Sequence, residues 1–460
     1  MLTAIIAIFI MGYIVIALEH SLHINKAATA LFVGVLCWTL YTIDFAEMLP
    51  AEKVPDWFSS KLASEHEHPE LPNREYLVDG QLAEFVSEIA QILFFLMGAM
   101  TIVELVDAHE GFSIITNLIK ARKKVTLLWI VSWITFFLSA VLDNLTTTIV
   151  MVSLLRKLVH DTQTRRFFAG MVILSANAGG AWSVIGDVTT TMLWVKHKIG
   201  TIETGQELFL ASIASLTVPL LLISRFMKGD LEATPEKDNA EGPSLNIKPW
   251  HQKLFFFLGC GGLISVPIFK AYTHLPPFMG ILLALSVLWL VSELVSHTMD
   301  DETRSSTGVL SALKRIDMSS ILFFLGILLA VGSLAATGTL QALASWLDKS
   351  VGSYTIVAVI IGLVSAVVDN VPLVAAGIEM YSLPENHPFW MLLAFCAGTG
   401  GSCLIIGSAA GVAAMGLEKI DFVWYLKTIS PWAVLGYFSG IIVLLLQSTI
   451  TAWLFGSPAT

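Results

Sequence analysis

Two short stretches carry the residues that could do chemistry. Ser139-Ala-Val-Leu-Asp143-Asn144-Leu-Thr146-Thr147-Thr148 returns 226 residues later as Ser365-Ala-Val-Val-Asp369-Asn370-Val-Pro372. Each copy sets a carboxylate and an amide inside a long apolar run. An ionisable group in hydrocarbon is costly and marks a functional position by default. Carboxylate and amide oxygens suit a hard cation, and a carboxylate also holds a proton. Asp143 and Asp369 therefore read as a cation or proton site in two halves, the alternative being a pair of structural helix caps. Asn144 and Asn370 read as amide ligands or as caps of the same turns.

A second pair of motifs follows the first in the same order. Asn177-Ala-Gly179-Gly180-Ala-Trp-Ser183-Val-Ile-Gly186-Asp187 is matched by Gly398-Thr399-Gly400-Gly401-Ser402-Cys-Leu-Ile-Ile-Gly407-Ser408. Glycine pairs inside uncharged segments either let helices pack closely or unwind the helix and free its carbonyls. With Asn177, Ser183, Thr399 and Ser402 beside them, unwinding is the expectation. Asp187, with Thr189, Thr190 and Thr191 behind it, reads as a third acid of the site or as an interfacial residue. Glu88 is a second-tier candidate; Glu104, Asp44, Glu47 and Glu293 lie near helix ends and read as interfacial. His66 and His68 lie in an acidic loop and read as a solvated face.

The elements that must position these residues are membrane helices. The chain has 460 residues, 55% hydrophobic and 13% charged. That is more apolar and less charged than a soluble domain. Apolar runs of about 18 residues or more recur and predict a polytopic all-α membrane protein. The net charge of −10 lies mostly in loops and gives no reason to expect nucleic acid. The four cysteines, at 37, 260, 396 and 403, lie in apolar segments without a zinc or disulfide spacing. No phosphate-binding glycine loop occurs, so an ATPase site is not expected, and no cofactor is implied.

The predicted organisation is an N-terminal repeat over 1–228, a cytoplasmic linker over 229–250 and a C-terminal repeat over 251–460. Each repeat holds a hairpin (125–158 and 354–378) and a broken helix (167–195 and 389–417). After Asn144 only eleven uncharged residues precede Arg156, about 16 Å of helix against a hydrocarbon core about 30 Å thick. A re-entrant hairpin fits better than a crossing. Lys120, Arg122, Lys123 and Lys124 precede it and Arg156, Lys157, Arg165 and Arg166 follow it, so both its ends are expected in the cytoplasm. The second hairpin lacks such flanks and is expected to enter from outside. About five crossings per half would then invert the second repeat relative to the first. Both termini and the acidic loop over 49–84 would lie outside.

The motif Ser139 to Thr148, followed by Asn177 to Thr190, resembles the NhaD-type sodium/proton antiporters, within a wider superfamily of arsenite permeases and sodium/dicarboxylate symporters. The resemblance runs through nearly the whole chain in order. It implies two opposed hairpins and two broken helices. It further implies a bacterial inner-membrane protein exchanging Na+ or Li+ for H+, possible as a homodimer in the lipid bilayer. Carried over by position, it implies that Asp143, Asn144, Thr146, Thr147, Asn177, Asp187, Thr189, Thr190, Ser365, Asp369 and Asn370 line the ion path. Two readings compete with the antiporter. A sodium-coupled dicarboxylate symporter or arsenite exporter on the same fold would place an anion between two acidic hairpin tips. An intramembrane enzyme would need a nucleophile and base together, and no such pair occurs in the spans.

Overall fold

The computed structural model describes residues 1–455 apart from 18, 23, 45–48, 50–53, 56–57, 59–71, 120, 122, 232–246 and 368. Glu47, His66, His68, Lys120, Arg122 and most of the expected linker lie outside the described residues. Among those residues there is no strand, only an isolated bridge between Lys123 and Asp230. The principal helices of the first half are α1 (Leu2–Ala17), α2 (Lys26–Ile43), α3 (Ala83–Ala108), α4 (Lys124–Leu142), α5 (Asn144–Leu158), α6 (Thr162–Gly180), α7 (Val188–Val195) and α8 (Thr201–Phe226). Those of the second are α9 (Pro249–Thr273), α10 (Pro277–Ser296), α11 (Met318–Ala336), α12 (Thr339–Val351), α13 (Tyr354–Val364), α14 (Asn370–Met380), α15 (Pro388–Gly400), α16 (Ala409–Glu418), α17 (Phe422–Thr428) and α18 (Ser430–Phe455).

Every apolar run read from the sequence is a helix, and the boundaries follow from local chemistry. Asp161 accepts from the Thr164 amide at 2.9 Å and starts α6 five residues before the apolar run begins. The Thr164 hydroxyl and amide hold the Asp161 carboxyl below the usual carboxylate range. Helix α12 was not read from the sequence. Its apolar and polar residues alternate at helical spacing, and left-handed Gly338 and Gly352 (φ 76° and 67°) close its two ends.

Eight helices among the described residues are long and apolar enough to cross a membrane. The chain is a multi-pass membrane protein. Phe257, Ile264, Leu283, Leu290 and Leu294 on α9 and α10 are exposed, as lipid-facing positions are.

The chain forms two compact units, and each draws on both sequence halves. The first comprises residues 1–94, 317–353 and 375–382. Its core is α2 against α11. A Cβ on Gly34 would stand 2.5 Å from the Gly326 carbonyl, so the two backbones touch where both lack side chains. Trp38 donates its indole N–H to the Leu329 carbonyl at 2.8 Å across the same seam. The second unit comprises residues 95–316, 354–374 and 383–460 and contains both acidic stretches. There α8 lies along α18, again through glycine: a Cβ on Gly436 would stand 2.3 Å from the Ser215 carbonyl.

Side-specific labelling tests the expected topology. In a background with Cys260 replaced by alanine, cysteines at Lys123 and His160 are expected to react from the cytoplasmic side only, and cysteines at Ser353 and Glu385 from the opposite side only. Reaction of the first two from opposite faces would remove the hairpin.

Candidate ion site

The first acidic stretch is a helical turn-back. Helix α4 ends at Leu142 and α5 begins at Asn144, so Asp143 alone makes the turn, at φ 110° and ψ 162°. That is a strained conformation for a residue with a Cβ, and such strain collects at functional sites. Its carboxylate compensates by accepting from the Thr146 amide at 2.7 Å and the Thr146 hydroxyl at 2.9 Å. The Lys124 ammonium reaches the Thr164 hydroxyl at 3.1 Å, while Ser139 donates to the Ala176 carbonyl at 2.6 Å. Helix α4 therefore runs alongside α6 in the same sense. Helix α5 returns against both and rejoins α6 through residues 159–161 alone.

The second stretch repeats the arrangement. Ser365 donates to the Ala397 carbonyl at 3.1 Å, as Ser139 does to Ala176. At the far end Tyr354 packs on His387 and Phe389, with ring centroids 5.9 Å away in each case. Helix α13 thus runs in the same sense as α15. Asp369 accepts from the Val371 amide at 3.2 Å, and Asn370 is buried beside it. Glycine contacts recur as well. A Cβ on Gly179 would stand 2.1 Å from the Phe136 carbonyl, and one on Gly400 would stand 2.0 Å from the Gly362 carbonyl.

Both glycine motifs break their helices. Helix α6 stops at Gly180 and α7 restarts at Val188; α15 stops at Gly400 and α16 restarts at Ala409. Asp187 caps α7 and Ser408, its counterpart, caps α16. Gly180 and Gly401 close the loops: a Cβ there would stand 2.3 Å from the Gly186 carbonyl and 2.8 Å from the Gly407 carbonyl. Close packing and unwinding, set as alternatives from the sequence, coexist at the same glycines.

The breaks and the first hairpin tip meet through one buried chain of hydrogen bonds. Asn144 donates to Asp187 at 2.5 Å and to the Asn177 side-chain oxygen at 3.0 Å. Asn177 in turn donates to Ser402 at 2.8 Å and Ser408 at 3.0 Å. Asp187 also accepts from the Thr189 amide at 2.8 Å and hydroxyl at 2.7 Å. Thr190 donates to the Ser183 carbonyl inside the break, at 2.8 Å. The Tyr425 hydroxyl on α17 holds the Ser402 carbonyl at 2.9 Å. The Asp187 carboxylate lies close enough to those of Asp143 and Asp369 for the charges to repel. Among the described residues, every donor to the Asp143 and Asp187 carboxylates is a neutral amide or hydroxyl.

Thr147 is fully buried one turn from Asn144. Thr399 is turned away, donating to the Phe395 carbonyl of its own helix at 2.6 Å. Glu88 lies on α3 in the first unit. Sequence reading missed Ser408 as a bonded member of the site, although its alignment with Asp187 was the available signal. It also missed Tyr425, which nothing in the sequence marks.

One end of this assembly is closed by ion pairs. Glu418, at the end of α16, has its side chain buried to 1% exposure. Arg156 and Arg165 each bond one of its carboxylate oxygens at 2.7 Å. Arg156 also donates to the Leu417 carbonyl, and Arg166 donates to the Glu418 carbonyl at 3.2 Å. At the other end of the broken helices, Asn386 accepts from the Gly200 amide at 2.6 Å and donates its own amide to the Lys198 carbonyl at 2.8 Å. Elsewhere in this unit Glu104 pairs with Arg315 at 3.5 Å, in keeping with its interfacial reading. His109 stacks on Phe255, and burial pushes its pKa down to about 4, so it stays neutral at physiological pH.

Apolar spans around a buried, hydrogen-bonded acidic centre define a polytopic membrane protein. Residues 13–382 match the family model described as citrate transporter, CitMHS, and the chain belongs to that family. It is 46% identical over 437 residues to sodium/proton antiporter 1 of Arabidopsis thaliana, covering 94% of this chain and 70% of that one. It is 43% identical over 451 residues to sodium/proton antiporter 2 of the same plant, covering 95% and 98%. The Na(+)/H(+) antiporter NhaD of Vibrio cholerae is 29% identical over 473 residues, covering 96% and 91%. The likeness read from the Asp-Asn and glycine motifs is thus a likeness of nearly the whole chain. Family and relatives are named as transporters, not enzymes.

The backbone contacts at the twin glycines predict a graded stability series. Gly179→Ala and Gly400→Ala are each expected to cost about 1–3 kcal/mol by overpacking. Gly416→Ala, where a Cβ meets nothing within 4 Å, is expected to stay within about 0.5 kcal/mol. Thermal unfolding of the detergent-purified variants reads the difference.

Proposed function

We propose that the chain exchanges Na+ or Li+ for H+ by alternating access, with Asp143, Asp187 and Asp369 taking cation and proton in turn. The observation that carries this is the Asp187–Asn144–Asn177 chain: a buried carboxylate bonded only to neutral donors, with two more carboxylates within electrostatic reach. Asp143 and Asp187 accept only from neutral amides and hydroxyls among the described residues, and acids so placed call for a cation or protons to neutralise them. The pairing is exclusive, because a proton and a cation compete for the same oxygens. The names of the plant and Vibrio relatives support Na+ and H+ as the substrates.

The two halves act, on this reading, as inverted repeats. In support, the first hairpin opens at the end where Glu418 finishes α16, and the second opens at the end where Lys198 follows α7. Both hairpins are taken as re-entrant, their tips meeting near the midplane. The alternative reading, suggested by the family's description, is a citrate or other carboxylate carrier. A multiply charged anion needs cationic or helix-terminal donors, and the acidic centre opposes it. The host membrane must carry a proton gradient. A bacterial inner membrane meets that requirement, and so does an organellar membrane in a plant cell.

Proton release from purified protein tests the exchange. Adding Na+ or Li+ at alkaline pH is expected to acidify an unbuffered sample of the wild type. Asp143→Asn and Asp187→Asn are each expected to abolish that release, and Asp143→Glu to retain part of it. Undiminished release from both asparagine variants would move the exchanging carboxylate elsewhere, and citrate-dependent uptake in vesicles would restore the anion reading.

A further inference from the structure

Two hydroxyls near the acidic centre have no partner. Thr147 and Thr148 are fully buried on α5, and neither side-chain oxygen has a hydrogen-bond partner within the protein. Other helical threonines of this chain behave differently. Thr39, Thr101, Thr135, Thr217 and Thr399 each donate to the carbonyl four residues back, at 2.8, 2.6, 2.6, 2.7 and 2.6 Å. For Thr147 and Thr148 those carbonyls belong to Asp143 and Asn144, and neither hydroxyl uses them. A buried hydroxyl without a partner is costly and uncommon, and it asks for a reason. Ser132, Ser212 and Ser430 share the condition, but each lies five residues or more along the chain from the nearest residue of the site.

Position supplies the reason. Residues three and four apart share a helix face, so Thr147 and Thr148 continue the face on which Asn144 meets Asp187. Helix α5 then runs on to Arg156, the residue that joins the Glu418 ion pairs. We propose that Thr148, together with Thr147, forms a second alkali-cation position, one helical turn from the acidic centre toward the Glu418 end. This rests on the cation-exchange reading and extends it. Hydroxyl oxygens are suitable ligands for a hard cation. Being neutral, they hold it less tightly than a carboxylate, as a transit position requires if the ion is to leave again. The empty hydroxyls are the ligands of that position, kept off the backbone.

Exchange in proteoliposomes tests the assignment, with dye-reported proton movement against graded Na+ and Li+. Thr148→Val keeps the shape and removes the hydroxyl. It is expected to raise the apparent KM for both cations about tenfold, the scale of one lost neutral ligand. Thr148→Ser, which keeps the oxygen, is expected to stay near wild type. Thr148→Val is also expected to unfold at or above the wild-type temperature, since it deletes an unpaired polar group. A Thr148→Val protein with KM values within twofold of wild type overturns the position. So does equal loss in the valine and serine variants, which would mark Thr148 as packing. A wild type that exchanges no alkali cation removes the reading beneath it, an outcome distinct from either.

Discussion

The hydrogen bond from Asn144 to Asp187 is the contact on which the assembly turns. It joins the tip of one hairpin to the cap of one broken helix, and through Asn177 it reaches Ser402 and Ser408 in the other break. The hairpin tip and the two helix breaks, three pieces of turned-back or interrupted backbone, would otherwise present loose polar groups in an apolar interior. Each loose group would be costly. The amide of Asn144 is suited to this place because it donates twice from one nitrogen. A leucine there would leave both Asp187 and Asn177 short of a donor.

The two helix breaks differ in the side chains they carry, although the glycine and serine contacts beside them recur. Position by position, Asp187 faces Ser408 across the repeat and Asn177 faces Gly398. The first break supplies the Asp187 carboxylate and the Asn177 amide; the second supplies the hydroxyls of Ser402 and Ser408. The shared framework consists of the serine-to-carbonyl bonds of Ser139 and Ser365 and the backbone contacts at Gly179 and Gly400. The lopsided part is where ion chemistry would be decided.

Much of this was legible in the sequence because cost is legible. An acid, an amide or a glycine pair within an apolar run breaks a strong pattern, and each break recurred at the same place in both halves. The helices followed from the same pattern. What could not be read were contacts between distant residues that break no pattern. Glu418 closes an apolar run at a helix end, where an acid is ordinary. Its arginine partners read as topology signals, and only the fold turns them into ligands. Helix α12 escaped because its moderate polarity resembles a loop. Thr148 looked like any helical threonine until its neighbours' backbone bonds set the comparison.

The buried Glu418 cluster sets a kinetic character for the molecule. Its carboxylate is held by arginines from α5 and α6, which are joined by only three residues. Parting α16 from them would take the buried Glu418 carboxylate away from Arg165 and the half-exposed Arg156, a separation that leaves a buried charge unpaired. Passage through that opened form would therefore rise steeply with warming. Added salt would ease it in part, because the exposed side of Arg156 is open to screening by ions in the bath while the Glu418 carboxylate is not. Opening at that end would therefore respond to both temperature and ionic strength.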